Sequence, residues 1–289
     1  MRITIQNLWK TYGTKLHALQ DVSLDIQTGM FGLLGPNGAG KSTLMKILAT
    51  LETPSSGSVL VEGVDINLRR AEVRRSLGYL PQAFGVYPQL TGIEFLSYIA
   101  GLNGVPGNRV KTAAREALER VGLVAVGDRK AKTYSGGMLR RLGIAQAVIG
   151  DPKLLIVDEP TVGLDPEERI RFRNLLSDIS RERVIILSTH IVGDISSTCE
   201  DLALMSLGRV VFQGHPAALL DKTRGSVWSG ALSEEAFLRV TGAMQVISTI
   251  LQGDRRIVRA VGTPLPDVPM QPEEPNLEDA YMYLTQEAH

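Results

Sequence analysis

The stretch Gly35-Pro36-Asn37-Gly38-Ala39-Gly40-Lys41-Ser42-Thr43 limits the fold more than any other part of the chain. It follows the apolar run Phe31-Gly32-Leu33-Leu34, which reads as a short buried strand, and precedes residues 42–51, which read as a helix. A strand, a glycine-rich loop and a helix in that order make a phosphate cradle. The glycines let backbone N–H groups converge on phosphate oxygens with no Cβ in the way, and the helix adds the positive end of its dipole. Lys41 is expected to reach the β- and γ-phosphates and the Ser42 hydroxyl to bind Mg²⁺. Gly35, Asn37, Gly38, Gly40, Lys41, Ser42 and Thr43 are the nucleotide-binding candidates. An ordinary glycine turn before a helix is the plain alternative; a match at every fixed position after a strand argues against it.

Around this loop the pattern is mixed α/β. Ile3 and Ile5, then Val22, Leu24 and Ile26, alternate as short strands. Thr91 can cap a helix carrying Ile93, Phe95, Leu96 and Ile99, and a second helix follows with Val110, Ala113, Ala114, Ala117, Leu118 and Val121 at helical spacing, stopped at Gly122. Residues 88–150 therefore read as an inserted helical subdomain. Beyond it, 154–157 is a strand, 166–179 a helix, 184–187 a strand, and 202–205 with 210–213 a hairpin around Gly208. From about 221 the pattern weakens, and five of the 14 prolines fall between Pro264 and Pro275, marking a linker or extended loop before a short helix at 277–284.

A second chemical element is Leu154-Leu155-Ile156-Val157-Asp158-Glu159-Pro160, an apolar strand ending in two carboxylates. Asp158 is placed to hold the metal and Glu159, one residue on, to polarise an attacking water as general base. A strand ending in Asp-Glu is common; behind a phosphate loop it gains meaning.

The third element is Tyr134-Ser135-Gly136-Gly137-Met138, ahead of a helical run at 139–149. Here the chain resembles the ATP-binding cassette (ABC) family, whose signature reads Leu-Ser-Gly-Gly-Gln at this place. Tyr134 and Met138 depart from that pattern; the Ser-Gly-Gly core is kept. The resemblance implies that Ser135 and Gly137 meet the γ-phosphate of an ATP held by the opposite subunit, as a small hydroxyl and exposed N–H groups at a helix N-terminus allow, with Gly136 between them a further nucleotide-binding candidate.

Further positions match the family in order. Gln82, in Tyr79-Leu80-Pro81-Gln82, resembles the glutamine that contacts Mg²⁺ and links core to helical subdomain. Asp165, in Gly163-Leu164-Asp165-Pro166, sits in what resembles the loop passing between subunits, and His190, after Ser188-Thr189, resembles the switch histidine at the γ-phosphate. Tyr12 resembles the aromatic that stacks on adenine. Taken singly, Gln82 reads equally as a solvated loop residue, Asp165 as a helix cap before Pro166, His190 as an edge histidine and Tyr12 as core. Their joint order favours the functional reading. The arginine pairs 69–70, 74–75 and 140–141 read as solvated helix faces, with Arg140 and Arg141 also near enough to the signature to attract nucleotide.

The 289 residues are 44% hydrophobic, ample for a large core, and 31 basic residues balance 31 acidic ones. Zero net charge gives no pull toward nucleic acid. The lone Cys199 forms no internal disulfide and reads as a buried structural thiol in a reducing compartment. No run reaches the roughly 18 apolar residues of a membrane span, and the N-terminus lacks a secretory apolar core.

The expectation is an α/β fold: a P-loop NTPase with a RecA-like core, an antiparallel β subdomain and the helical subdomain within residues 1–220, plus a C-terminal accessory domain at 221–289. By resemblance the chain is an ATPase using Mg²⁺, a head-to-tail dimer, homomeric or heteromeric, with two ATPs between subunits. It is held at the cytoplasmic face of the membrane by a separate integral-membrane transporter subunit. The wording of 82–102, Met138 and Leu277-Glu278-Asp279-Ala280 is most similar to exporters of drugs, lipids or polysaccharides. The stretch 82–98, with Phe84, Val86, Tyr87, Leu90 and Phe95, is expected to receive a cytoplasmic helix of the membrane subunit. Rival readings are a soluble ABC ATPase working on ribosomes or DNA, disfavoured by the single cassette without coiled-coil insertions, a P-loop kinase or GTPase, disfavoured by Ser135-Gly136-Gly137 and His190, and a non-catalytic binding module, disfavoured by Lys41 and Glu159.

Overall fold

The structure is a computed structural model that describes residues 1–287. Its elements in chain order are β1 (Arg2–Tyr12), β2 (Leu16–Gln27), β3 (Gly29–Leu34), α1 (Lys41–Leu48), β4 (Ser56–Val61), β5 (Val64–Asp65), α2 (Arg70–Arg75), β6 (Leu77–Leu80), α3 (Gly92–Leu102), α4 (Val110–Arg120), α5 (Gly136–Val148), β7 (Leu154–Asp158), α6 (Pro166–Ile179), β8 (Val184–Thr189), α7 (Val192–Ser196), β9 (Asp201–Ser206), β10 (Arg209–Gly214), α8 (Pro216–Asp221), β11 (Val227–Leu232), α9 (Glu234–Ala243), β12 (Gln245–Gln252), β13 (Arg255–Val261), β14 (Gln271–Pro272) and α10 (Leu277–Glu287).

The central sheet runs β10-β9-β3-β8-β7-β6. Its strands pair in parallel except at the β9–β10 hairpin. Strands covered on both faces read as near-continuous apolar runs, and β7 and β8 are buried throughout, apolar until the polar ends Asp158 and Ser188-Thr189. Successive side chains point to opposite faces. Leu154 and Ile156 join one core cluster while Leu155 and Val157 join the other, and Val184 and Ile186 divide from Ile185 and Leu187 in the same way. On the first face lie α1 and the antiparallel sheet β2-β1-β4-β5; on the second lie α3 to α8.

Local chemistry sets the helix starts. Thr91 caps α3 with a full capping box, its Oγ1 accepting from Glu94 N while the Glu94 carboxylate accepts from Thr91 N. Asp165 caps α6 by accepting from Glu168 N at 2.8 Å, with Pro166 in the first turn. The helix after the phosphate loop is shorter than its sequence predicts. It ends at Leu48 because Thr50 takes a left-handed φ of 59° and the chain turns back.

The C-terminal part builds a sheet ordered β12-β13-β11-β14, with α9 packed on it through Leu232, Val240, Met244, Val258, Ala260 and Val268. The proline-rich stretch is more than a linker: Gln271 and Pro272 form the edge strand β14 against Ser229 and Trp228, a place where proline is tolerated because no neighbour needs its missing N–H. The helix α10 follows, and its apolar side does not stay with this sheet alone. Ala280 belongs to the large cluster under the central sheet, and Leu277, Tyr281 and Leu284 pack against that cluster beside α7 and α8. Arg259 on β13 grips the α10 N-terminus, donating to the fully buried Asp279 carboxylate at 2.9 and 2.6 Å and to Glu273.

Candidate nucleotide site

The phosphate loop folds back over the N-terminus of α1. Gly40, the residue before the helix, has φ 99°, and a Cβ there would stand 2.5 Å from the Ala18 carbonyl oxygen, so only glycine fits. Lys41 is buried. Its ammonium donates to the carbonyls of Gly35 at 2.7 Å and Pro36 at 3.1 Å and stands 3.5 Å from Glu159 Oε1. Burial lowers its pKa, against the opposing pull of Glu159 and then Asp158.

The strand ends β7 and β8 present the two carboxylates. Asp158 accepts a hydrogen bond from the Ser188 hydroxyl, and the Ser42 hydroxyl lies 3.5 Å from the same oxygen. Asp158 also acts on Tyr79, whose phenol is pushed up to about 12, first by burial and then by that charge. Glu159 takes a left-handed φ of 47°, a strained conformation for a residue with a side chain. The strain is held by its own N–H, which donates to the carbonyl and hydroxyl of Ser188 at 3.1 and 3.2 Å. The carboxylate is thereby turned off the strand line, with Oε2 at 2.8 Å from His190 Nδ1.

Lys41, Glu159 and Gln82 line one cleft of about 320 Å³ together with Asn37, Gly38, Gly40, Ser42 and Thr43. Tyr12 closes its far end beside Leu16, His17 and Ala18. The Tyr12 ring is fixed from behind: its hydroxyl donates to Glu52, and Lys10, 3.3 Å from Glu52, sits 4.9 Å over the ring. Gln82 is anchored through its carbonyl by Arg140 at 2.8 Å, so this arginine serves the Gln82 segment and is not a solvated face.

Ser135, Gly136, Gly137 and Asp165 do not line this cleft. Ser135 caps α5, its hydroxyl accepting from Met138 N at 3.2 Å, while the Met138 thioether lies 3.5 Å from Ser135 N. Met138 thus stands where a glutamine would complete a capping box and accepts only weakly. The sequence reading missed Ser188, Lys10, Glu52 and the Leu16 to Ala18 edge. Ser188 was visible beside His190 in Ser188-Thr189-His190; the others carry no local signal.

A metal would find oxygen donors here. Ser42 Oγ and Asp158 Oδ1 converge at the foot of the loop, hard ligands that suit a magnesium ion sharing its sphere with phosphate and water. Among the described residues no cluster of three or more histidine, cysteine or acidic side chains could hold a metal unaided.

A family model described as ABC transporter matches residues 19–162. The Nod factor export ATP-binding protein I of Cupriavidus metallidurans is 36% identical over 225 residues, covering 77% of this chain and 74% of that protein. The chain belongs to the ABC transporter ATP-binding family. A second ABC relative, the probable multidrug ABC transporter ATP-binding protein YbhF of Escherichia coli, is 34% identical over 98% of this chain, which spans only 52% of YbhF. Among solved ABC structures, the post-hydrolysis dimer of the cassette MJ0796 bound to ADP and Pi is 25% identical with a TM-score of 0.67, over 74% of this chain and 98% of that one. The cbiO1 subunit of Clostridium perfringens, part of the complex cbiONQ, is 28% identical with a TM-score of 0.70, over 76% and 90%.

Proposed function

We propose that this chain binds and hydrolyses ATP and that it powers an exporter through a separate membrane subunit. The observation that carries the reading is Glu159, a strained, buried carboxylate held between Lys41 and His190 at the mouth of the phosphate loop. In this reading the loop N–H groups and Lys41 bind the β- and γ-phosphates. Glu159 accepts a proton from, or orients, the attacking water, and His190 fixes its carboxylate. Mg²⁺, when bound, would neutralise phosphate charge; Ser42 and Asp158 would hold it, with Gln82, which lines the same cleft, as a further oxygen donor. Tyr12 offers its ring to the adenine base.

The Ser135 helix end lies outside the cleft of its own chain, so it serves the nucleotide of a second ATPase subunit, as the dimeric relative supports. Asp165 stands at the start of α6, and in this reading its loop passes between those subunits. The relatives' names support export of small molecules.

For the membrane subunit the exposed candidates are Tyr87 and Tyr98. They pack edge to face at 5.9 Å and, with Pro88, Gln89 and Leu90, border an apolar hollow of about 460 Å³. This narrows the surface expected from sequence. Phe95 is core, and Phe84 and Val86 pack against that core, with Phe84 6.1 Å from Phe95. No helix among the described residues is long and apolar enough to cross a membrane. In this reading the docking surface would hold the chain at the cytoplasmic face.

The test is phosphate release by the purified chain with Mg-ATP, alone and with the membrane subunit, alongside crosslinking from Tyr87→Cys and Tyr98→Cys. Hydrolysis abolished by Glu159→Gln and crosslinks from both tyrosine positions are expected. Turnover indifferent to Glu159, or crosslinks confined to the C-terminal sheet, would overturn the respective parts.

A further inference from the structure

Asp194 is 2% exposed, lies on α7 four residues beyond His190, and does not line the nucleotide cleft. Its Oδ2 accepts from the hydroxyl of Thr161 at 2.5 Å. Thr161 is 1% exposed and stands two residues beyond Glu159, on the loop that leads to Asp165. Among the described residues the other carboxylate oxygen has only Arg173 Nη1 at 3.9 Å, beyond hydrogen-bond distance, and that nitrogen donates to the Gly193 carbonyl at 3.0 Å. A buried carboxylate with so few partners is costly to keep, and its place in the first turn of the short helix α7 offsets only part of that cost. What it does is join two segments that each carry half of the proposed water-activating pair.

We infer that Asp194 is a positioning residue for hydrolysis: its bond to Thr161 fixes the loop behind Glu159 to the helix behind His190. The strand ends themselves are paired, Asp158 beside Ser188, with Glu159 N bound to Ser188. Beyond them the Glu159–His190 contact at 2.8 Å joins two side chains, one of them substantially exposed, and does not fix the loop after Glu159 to the helix after His190. The buried Thr161–Asp194 bond adds that tie past both residues, so the loop and the helix move as one body. Displacing a catalytic carboxylate by about 1 Å can cost on the order of 100-fold in rate. The inference rests on the base role proposed for Glu159.

The experiment uses the full chain and three variants. Thr161→Val keeps shape and removes the donor, Thr161→Ser restores it, and Asp194→Asn keeps an acceptor while removing the charge. Thr161→Val is expected to lower kcat about tenfold or more, as loss of a charge-assisted hydrogen bond at a positioning site would. ATP affinity should stay within about twofold and Thr161→Ser should recover most of kcat, since Lys41 and the loop do the binding. Asp194→Asn should fall between. Hydrogen exchange over residues 161–165 and 190–196 should rise together in Thr161→Val and Asp194→Asn, a readout independent of turnover. An unchanged kcat, a parallel loss of ATP affinity, a serine variant as poor as valine, or exchange rising in only one segment would overturn the inference. Absence of hydrolysis in the wild-type chain would instead count against the proposed function, and the exchange result would still decide the tie. Should Thr161→Val fail to fold, Asp194→Asn decides by the same measures.

Discussion

Lys41 Nζ stands 3.5 Å from Glu159 Oε1, both side chains buried, so the cation suited to phosphate and the carboxylate suited to water face each other across one space. Each offsets the cost of burying the other. On the proposed function, a γ-phosphate in the loop competes with Glu159 for Lys41 and leaves the carboxylate to His190 and the attacking water.

Replacing Glu159 by Gln keeps size and hydrogen bonding and removes basicity. ATP should still bind, phosphate release should fall at least ~100-fold, and the ATP-bound dimer should accumulate because its bridging nucleotide is not consumed. Gel filtration with Mg-ATP beside a phosphate assay checks this. A variant that hydrolyses at the wild-type rate removes Glu159 from the base role.

Lys41→Ala removes the one ammonium inside the loop. ATP affinity should drop, and turnover should fall at least ~100-fold, the usual scale for a lost phosphate-stabilising group. Nucleotide titration and steady-state kinetics on contaminant-free protein are the measurements; near-normal hydrolysis contradicts the assignment.

Asp279→Ala strips the buried partner of Arg259 and the bond to Asn276 N at 2.8 Å that starts α10. Arg259 keeps Glu273, so the loss should be about 2–4 kcal/mol, toward the lower range for breaking a buried pair. Urea unfolding should show the shift, and proteolysis should cut first near residues 273–277. No change in midpoint would mean that the pair contributes nothing.

Burial pushes the Cys199 thiol up to about 12. At pH 8 its thiolate is then about one part in ten thousand, and thiolate is the reactive form. Iodoacetamide should label the folded chain far more slowly than the chain in guanidinium, with the difference read by mass spectrometry. Rapid labelling of the native form would place the thiol at the surface.

The lining of the candidate cleft was legible in the sequence wherever it rests on local spacing. The phosphate loop, the Asp158-Glu159 strand end, and the Thr91 and Asp165 caps each depend on residues a few positions apart, so spacing carries the signal. What stayed hidden depends on contacts between distant positions. Thr161 and Asp194 are 33 positions apart and Arg259 and Asp279 are 20 apart, so no local spacing marks either pair. The sheet of β11 to β14 was lost for a different reason: β12 is mostly exposed, so its alternation is blurred, and β14 lies in a proline-rich run. The expected solvated arginine face at 140–141 failed because Arg140 turns inward to the Gln82 carbonyl.

The helix α10 has a consequence for how the chain is made. Its Leu277, Ala280, Tyr281 and Leu284 fill the apolar cluster that α7 and α8 share, yet α10 leaves the ribosome only after the whole β11 to β13 unit. During synthesis the nucleotide-binding half can form its strands early, but the patch beneath α7 stays bare until α10 arrives. Such a bare patch is the kind of surface on which nascent chains aggregate or recruit chaperones. The C-terminal sheet, by gripping α10 through Arg259, delivers the missing piece to that patch, and so makes completion of the nucleotide-binding half wait for its own folding.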